Sequence, residues 1–182
     1  MGLPLPIRCS SVPFRFFVHI IDLNRNHLNM TSLPLPHVIV AHGSWHTPEA
    51  YTSFEAALEQ RGYDVSTPSL PTSRADGISR TLSDDCQYFR SKVERLINRG
   101  CEVVVVMHSY GGMVGAGSIH GLEKKPGSTG GGIIGIVFMS CFIPPATGSL
   151  ADGVGGSLPP WIQFKIDEKV IFKSAVPTVA TP

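Results

Sequence analysis

The chain of 182 residues is long enough for one domain with a sizeable apolar core. Its 15 basic and 14 acidic side chains nearly cancel and form no basic block, so the composition argues against a nucleic-acid-binding surface. The longest apolar stretch, residues 132–145, is too short to cross a bilayer, so it predicts a buried strand rather than a membrane segment.

The four cysteines lie far apart in the sequence and form neither a CxxC pair nor a metal-ligand spacing with histidines. They are Cys9, Cys86, Cys101 and Cys141. We therefore expect free thiols in a reducing compartment, which favours a cytoplasmic protein. No metal site and no other cofactor is indicated.

Residues 1–29 differ from the rest of the chain, with three arginines, an apolar patch at residues 14–21 and no acid before Asp22. Two interpretations are open. The segment is either an organellar transit peptide, or an unstructured leader or mispredicted sequence ahead of a true start at Met30. Three prolines would interrupt an amphipathic helix here, so we favour the second interpretation.

From Pro36 onward, predicted strands alternate with predicted helices at the spacing of parallel crossover units. Strands are predicted at residues 37–43, 63–68, 103–107 and 133–139. The four successive valines of the third strand can be buried on both faces of a parallel sheet. The pattern predicts an α/β fold, a mostly parallel sheet with helices on both faces.

Three helices are predicted between these strands. The first begins after Thr47 with Pro48 in its first position, and its apolar stripe consists of Tyr51, Phe54 and Leu58. The second carries a longer stripe formed by Leu82, Cys86, Phe89, Val93, Leu96 and Ile97. The third is rich in glycine, follows Ser109 and ends near Leu122.

The stretch VVVVMHSYGG, residues 103–112, leads an apolar strand into a sharp turn and then into a helix. Such a turn exposes Ser109 at the end of the sheet, and it aims the amide of Tyr110 at the position where an oxyanion would form. The pattern departs from G-x-S-x-G at Met107, where a small residue normally relieves crowding.

This stretch, preceded by AHGSWHTPEAY and SLPTS, resembles the α/β-hydrolase superfamily over about residues 36–165. The branch of plant methylesterases and hydroxynitrile lyases, with its fungal relatives, is the most similar. The resemblance implies that Ser109 is a nucleophile and that the amides of Ser44 and Tyr110 form its oxyanion hole. It also implies the sheet order second, first, third, fourth strand. The implied supporting residues of the loop and the turn are His42, Gly43, His108, Gly111 and Gly112.

The catalytic acid and histidine that this resemblance requires are not found in the expected places. His120, the only histidine after Ser109, follows it by eleven residues, or roughly 16 Å along a helix, too far to reach the serine hydroxyl. His108 cannot bend back from the strand end, and His42 and His46 belong to the oxyanion loop. The acids after the fourth strand, Asp152, Asp167 and Glu168, lie in what resembles the start of a cap, whereas the resemblance places the acid and the histidine after two further strands.

We therefore expect an incomplete α/β-hydrolase fold in which the last two strands are missing, so that the chain is C-terminally truncated. The expected core spans residues 36–145. Residues 146–182 are expected to form the start of a cap region and an irregular tail.

Three functional hypotheses follow. The first is a serine esterase acting on a small apolar ester, with this chain itself inactive. The second is a non-catalytic module that binds a small molecule, and the third is a fragment of a longer hydrolase with no function of its own. The expected partner is a small-molecule substrate rather than nucleic acid or a membrane, and the oligomeric state is left open.

Overall fold

The computed structural model describes residues 34–75 and 79–143, together with the backbone of two short strands, Ile162–Gln163 and Ile171–Phe172. The predicted leader at residues 1–29 lies outside the described residues. So does the predicted cap and tail at residues 146–182, apart from the two short strands.

Among the described residues, five strands and α-helices precede the serine turn, and one α-helix and one strand of the main sheet follow it. In chain order they are β1 (His37–Ala41), α1 (Thr52–Glu59), β2 (Val65–Ser66), α2 (Leu82–Asn98), β3 (Glu102–His108), α3 (Gly111–Ser118) and β4 (Gly132–Met139). The two short strands are β5 (Ile162–Gln163) and β6 (Ile171–Phe172), which pair antiparallel with each other.

Strands β1 to β4 form one parallel sheet in the order β2-β1-β3-β4, as predicted. Parallel strands need crossover connections, which α1, α2 and α3 supply. Because side chains alternate along a strand, the sheet has two apolar faces. Ile39 packs with Phe89 and Val93 of α2 and with Val114 of α3 on one face. On the other face Val40 packs with the predicted α1 stripe, including Tyr51.

The helix ends differ in places from the prediction. Pro48–Tyr51 is a 3-10 turn ahead of α1, and the Thr47 side chain makes no capping hydrogen bond. Helix α3 ends at Ser118 rather than near Leu122, because its C-cap Ile119 is soon followed by Gly121 with φ +76°. Helix α2 instead begins with a capping box between Thr81 and Asp84.

The region predicted as an irregular tail contains β5 and β6, which the glycine- and proline-rich sequence did not indicate. Each of these strands has only two residues, so no period of alternating side chains is visible in the sequence. Among the helices that the structure describes, none is both long and apolar enough to span a membrane.

Candidate functional site

Ser109 lies in the turn between β3 and α3, at the carboxyl end of the sheet. Its φ is +52°, a left-handed conformation that residues other than glycine rarely adopt. Its carbonyl oxygen accepts hydrogen bonds from the amides of Gly112, at 3.1 Å, and Phe142, at 3.0 Å. Its own amide donates to the carbonyl of Met139 at 3.4 Å. The turn is therefore fixed to both α3 and the segment after β4.

Glycines allow the helix after this turn to start against backbone. A Cβ on Gly111 would lie 1.9 Å from the carbonyl oxygen of Ala41, and one on Gly112 would lie 2.2 Å from that of Phe142. No side chain fits at either position. The first turn of α3 therefore packs directly on the end of β1, next to the loop that follows it.

The described chain has three non-glycine residues with positive φ, namely Trp45, Ser109 and Ser140. They follow β1, β3 and β4, respectively, so all three lie at the same end of the parallel sheet. Each such residue costs of the order of 1–3 kcal/mol and persists only where its surroundings hold it. Backbone strain in the described structure is thus concentrated around Ser109.

The loop after β1 comes close to Ser109 at Gly43. A Cβ on Gly43 would lie 3.2 Å from the Cβ of Ser109, 3.0 Å from Nδ1 of His46 and 3.1 Å from Nδ1 of His108. Ser44 follows directly. No hydrogen bond joins the backbone amide of Ser44 or of Tyr110 to another described residue.

His42 is buried, and both of its ring nitrogens are engaged. The Leu70 amide donates to Nε2 at 3.1 Å, so the proton is on Nδ1, which donates to the carbonyl of Gly43 at 2.9 Å. Burial lowers the pKa of His42, partly offset by its hydrogen bond to Gly43 and by Asp85. His42 is thus a neutral side chain that connects the loop to residues 69–73.

Tyr51 connects the same loop to the serine turn. Its hydroxyl accepts from the amide of Gly43 at 2.9 Å and is hydrogen bonded to Nδ1 of His108, 2.6 Å away. Burial, followed by the nearby rings of His46 and His42, lowers the pKa of His108.

The remaining predicted histidines take different positions. His46 is exposed, its Nδ1 donates to the carbonyl of Ser44 at 3.0 Å, and its ring lies 5.6 Å from that of His108. His120 lies beyond the end of α3, where its carbonyl accepts from Arg90. Of the histidines that the structure describes, none is hydrogen bonded to the Ser109 hydroxyl.

Asp85 is a fully buried carboxylate on α2 that accepts three hydrogen bonds. The Thr72 amide donates at 2.9 Å and its hydroxyl at 2.6 Å, while the Tyr110 hydroxyl donates at 2.8 Å. Burial and then the bond to Asp85 raise the pKa of Tyr110 far above its usual range. This bond anchors Tyr110, the residue after Ser109, to a buried side chain of α2.

The structure brings the predicted site residues together at one end of the sheet, whereas Asp152, Asp167 and Glu168 lie outside the described residues. A cavity of about 540 Å³ lies at the opposite end, lined among others by His37, Asp64 and Arg99. No group of three or more potential metal ligands occurs in the part of the chain that the structure describes.

The roles of Tyr51 and Asp85 were missed by the sequence reasoning. Tyr51 was predicted only as part of an apolar stripe, and Asp85 occupies a helix whose acids are otherwise exposed or half-buried. Their partners are 57 and 25 residues distant in sequence, so no local pattern could have indicated them.

Comparisons with known proteins agree with this architecture. A model of the alpha/beta hydrolase family matches residues 38–177. A probable hydrolase of a Phoma species is 31% identical over 123 residues, which are 66% of this chain and 48% of that protein. A carbendazim hydrolyzing esterase of a Nocardioides species is 30% identical over 129 residues, which are 67% of this chain and 48% of that esterase.

The chain thus spans about half the length of the curated relatives it matches. Among solved structures, an extracellular alpha/beta-hydrolase of a Paenibacillus species superposes with a TM-score of 0.55 at 24% identity, over 65% of this chain and 46% of that one. This likeness shows the fold. The family model covers well over half of the sequence, and the chain therefore belongs to the alpha/beta hydrolase family.

Proposed function

We propose that this chain carries the nucleophile and the oxyanion hole of a serine hydrolase that cleaves carboxylic esters. The observation that carries the proposal is the left-handed backbone of Ser109, held between β3 and α3 beside the Gly43 loop. This is the conformation of a nucleophile turn, and Ser109 is half-buried rather than fully exposed as predicted.

In the proposed reaction, the Ser109 hydroxyl attacks the ester carbonyl carbon and loses its proton to a base. The electron pair of the broken C=O π bond moves to the carbonyl oxygen, to which the amides of Ser44 and Tyr110 donate. The C–O bond to the alcohol then breaks, and the alcohol leaves with the proton from the base. Water hydrolyses the acyl-serine by the same steps.

The proposed substrate is a small apolar ester. Two of the three large apolar side chains exposed in the described structure lie next to the site in sequence. Trp45 follows Ser44, and Ile143 follows Phe142, whose amide donates to the Ser109 carbonyl. Apolar surface beside a reactive hydroxyl favours an uncharged acyl or alkyl group.

A second candidate is a non-catalytic module that binds a small molecule. The observation that favours it is that no described histidine is hydrogen bonded to Ser109, while His42 and Nδ1 of His108 are engaged elsewhere. A serine without its base keeps only the modest catalysis of the oxyanion hole and substrate binding. We therefore propose that the 182-residue chain turns over p-nitrophenyl acetate far more slowly than ordinary esterases do.

The test is covalent labelling by a fluorophosphonate, followed by mass mapping of the modified peptide. We expect slow labelling at Ser109, abolished by Ser109→Ala and unchanged by Ser91→Ala, which removes an exposed hydroxyl on α2. Labelling that persists in Ser109→Ala would refute the nucleophile assignment. Saturable binding of a small ester without any labelling would favour the binding module.

A further inference from the structure

We infer that Tyr51 is a positioning residue whose hydroxyl fixes the separation of the two oxyanion-hole amides. This inference rests on the proposed function, because it concerns the amides of Ser44 and Tyr110. The Tyr51 hydroxyl is hydrogen bonded to neither amide. It acts through the residues on either side of the site.

The hydroxyl of Tyr51 bridges the two segments that carry the site. Its bond to the Gly43 amide, at 2.9 Å, lies one residue before Ser44, and its bond to His108, at 2.6 Å, lies one residue before Ser109. The Tyr51 side chain is buried, so water cannot readily replace either bond. The loop and the turn are therefore connected through a single oxygen atom.

The Gly43 residue is held at both ends of its backbone. Tyr51 accepts from its amide, and Nδ1 of His42 donates to its carbonyl. The carbonyl belongs to the peptide group whose amide is that of Ser44, so fixing the carbonyl also fixes the direction of the Ser44 amide. Because the Gly43 amide donates to Tyr51, it is not available to an oxyanion.

The position of Tyr51 itself is well supported. It ends the 3-10 turn that begins at Pro48, and its ring packs with Val38 and Val40 of β1. Its ring also contacts those of His46 and His108 edge-on, with centroids 6.1 and 5.8 Å away. Removal of the hydroxyl alone would leave this packing in place.

Tyr51→Phe is therefore the test variant, and Tyr63→Phe is its matched control. Tyr63 packs on the same apolar cluster but lines the cavity at the other end of the sheet. We expect Tyr51→Phe to slow fluorophosphonate labelling of Ser109 about tenfold, because a misplaced donor stabilises the oxyanion less well. With an activated ester, kcat should fall while KM stays nearly constant. Tyr63→Phe should leave both measurements unchanged.

Amide hydrogen exchange of the same variants provides a readout that does not depend on Ser109 reactivity. We expect the amide of Gly43, which loses its acceptor, to exchange faster in Tyr51→Phe, whereas amides in the middle of β3 remain protected. Labelling and exchange at the wild-type rate in Tyr51→Phe would overturn the inference. If the wild-type chain is not labelled at all, the proposed function fails, and the exchange rates alone decide the role of Tyr51.

Discussion

Met107 fills the space that Gly115 leaves open. A Cβ on Gly115 would lie 2.5 Å from Cε and 2.6 Å from Sδ of Met107, whose side chain is almost fully buried. Met107 stands where the G-x-S-x-G pattern has its first glycine. The departure from that pattern is thus accommodated by a glycine one turn into α3, so the sharp serine turn forms despite the large side chain.

The first prediction concerns this pair. Gly115→Ala should lower the free energy of unfolding by about 1–3 kcal/mol, because the new methyl group would displace the buried Met107 side chain. In a Met107→Ala background, the same substitution should cost much less. Urea unfolding of the four proteins of this double-mutant cycle gives the coupling. Equal losses in both backgrounds would show that Met107 and Gly115 do not compete for space.

The second prediction concerns Asp85. Asp85→Ala should destabilise the protein by roughly 3–5 kcal/mol, because the buried donors of Thr72 and Tyr110 would lose their acceptor. Tyr110→Phe removes one bond only and should cost about 1–2 kcal/mol. Thermal and urea unfolding measure both effects, with Asp84→Ala at the exposed capping box as the comparison. A smaller loss for Asp85→Ala than for Asp84→Ala would contradict the buried network.

The third prediction concerns pH. Burial lowers the pKa of His42 below its usual value of 6.5, so around that pH the unfolded chain binds the proton more readily than the folded protein. The stability that neutral His42 contributes is fully present above pH 6.5 and is lost as the pH falls below it. His37 and His108 are shifted in the same direction, also chiefly by burial. We therefore expect the melting temperature to fall as the pH is lowered from about 7.5 to about 5.5.

His42→Gln, although less stable overall, should show a weaker pH dependence of the melting temperature, because one of the three histidines with a lowered pKa is gone. His120→Gln changes an exposed histidine and should retain the full dependence. Differential scanning fluorimetry across the pH range makes the comparison. An unchanged slope in His42→Gln would show that His42 is not the group being protonated.

The fourth prediction concerns the outer edge of β4. Leu122 and Lys124 hydrogen bond to Ile133 and cover the start of this edge. Beyond it, no described strand pairs with the apolar residues 135–139. Exposed apolar edges promote association between chains, so we expect aggregation or poor solubility that increases with concentration. Ile134→Lys should reduce association in size-exclusion chromatography, and Ala57→Lys on α1 should not. A monodisperse wild-type monomer would contradict this expectation.

The sequence predicted the order of the core elements because their signals are local, although β2 is shorter than the predicted residues 63–68 and α3 ends before Leu122. The valines of β3, the stripe of α2 and the glycines after Ser109 each indicate burial or close approach within a few residues. The parallel sheet order came from the family resemblance, and the structure confirms it. The roles predicted for Ser44 and Tyr110 remain proposals.

What the sequence did not indicate depends on pairs that are distant along the chain. The bond between Tyr51 and His108 and the bonds to Asp85 arise only when the 3-10 turn before α1 packs on one face of the sheet and α2 packs on the other. A hydroxyl or carboxylate on an amphipathic helix has no sequence signal for burial when its partner is on another element. The packing of Met107 against Gly115 also joins two different elements, so no local pattern indicated it.

The left-handed backbone shared by Trp45, Ser109 and Ser140 has a consequence for how this fold could be engineered. Glycine would relieve strain of about 1–3 kcal/mol at each position. This exceeds the loss of about 0.4–1 kcal/mol that the more flexible unfolded chain causes, so each substitution should be stabilising. A variant with glycine at all three positions should melt at a higher temperature while losing the serine hydroxyl. The gain would measure how much thermal stability the fold gives up to present a reactive group at the end of its sheet.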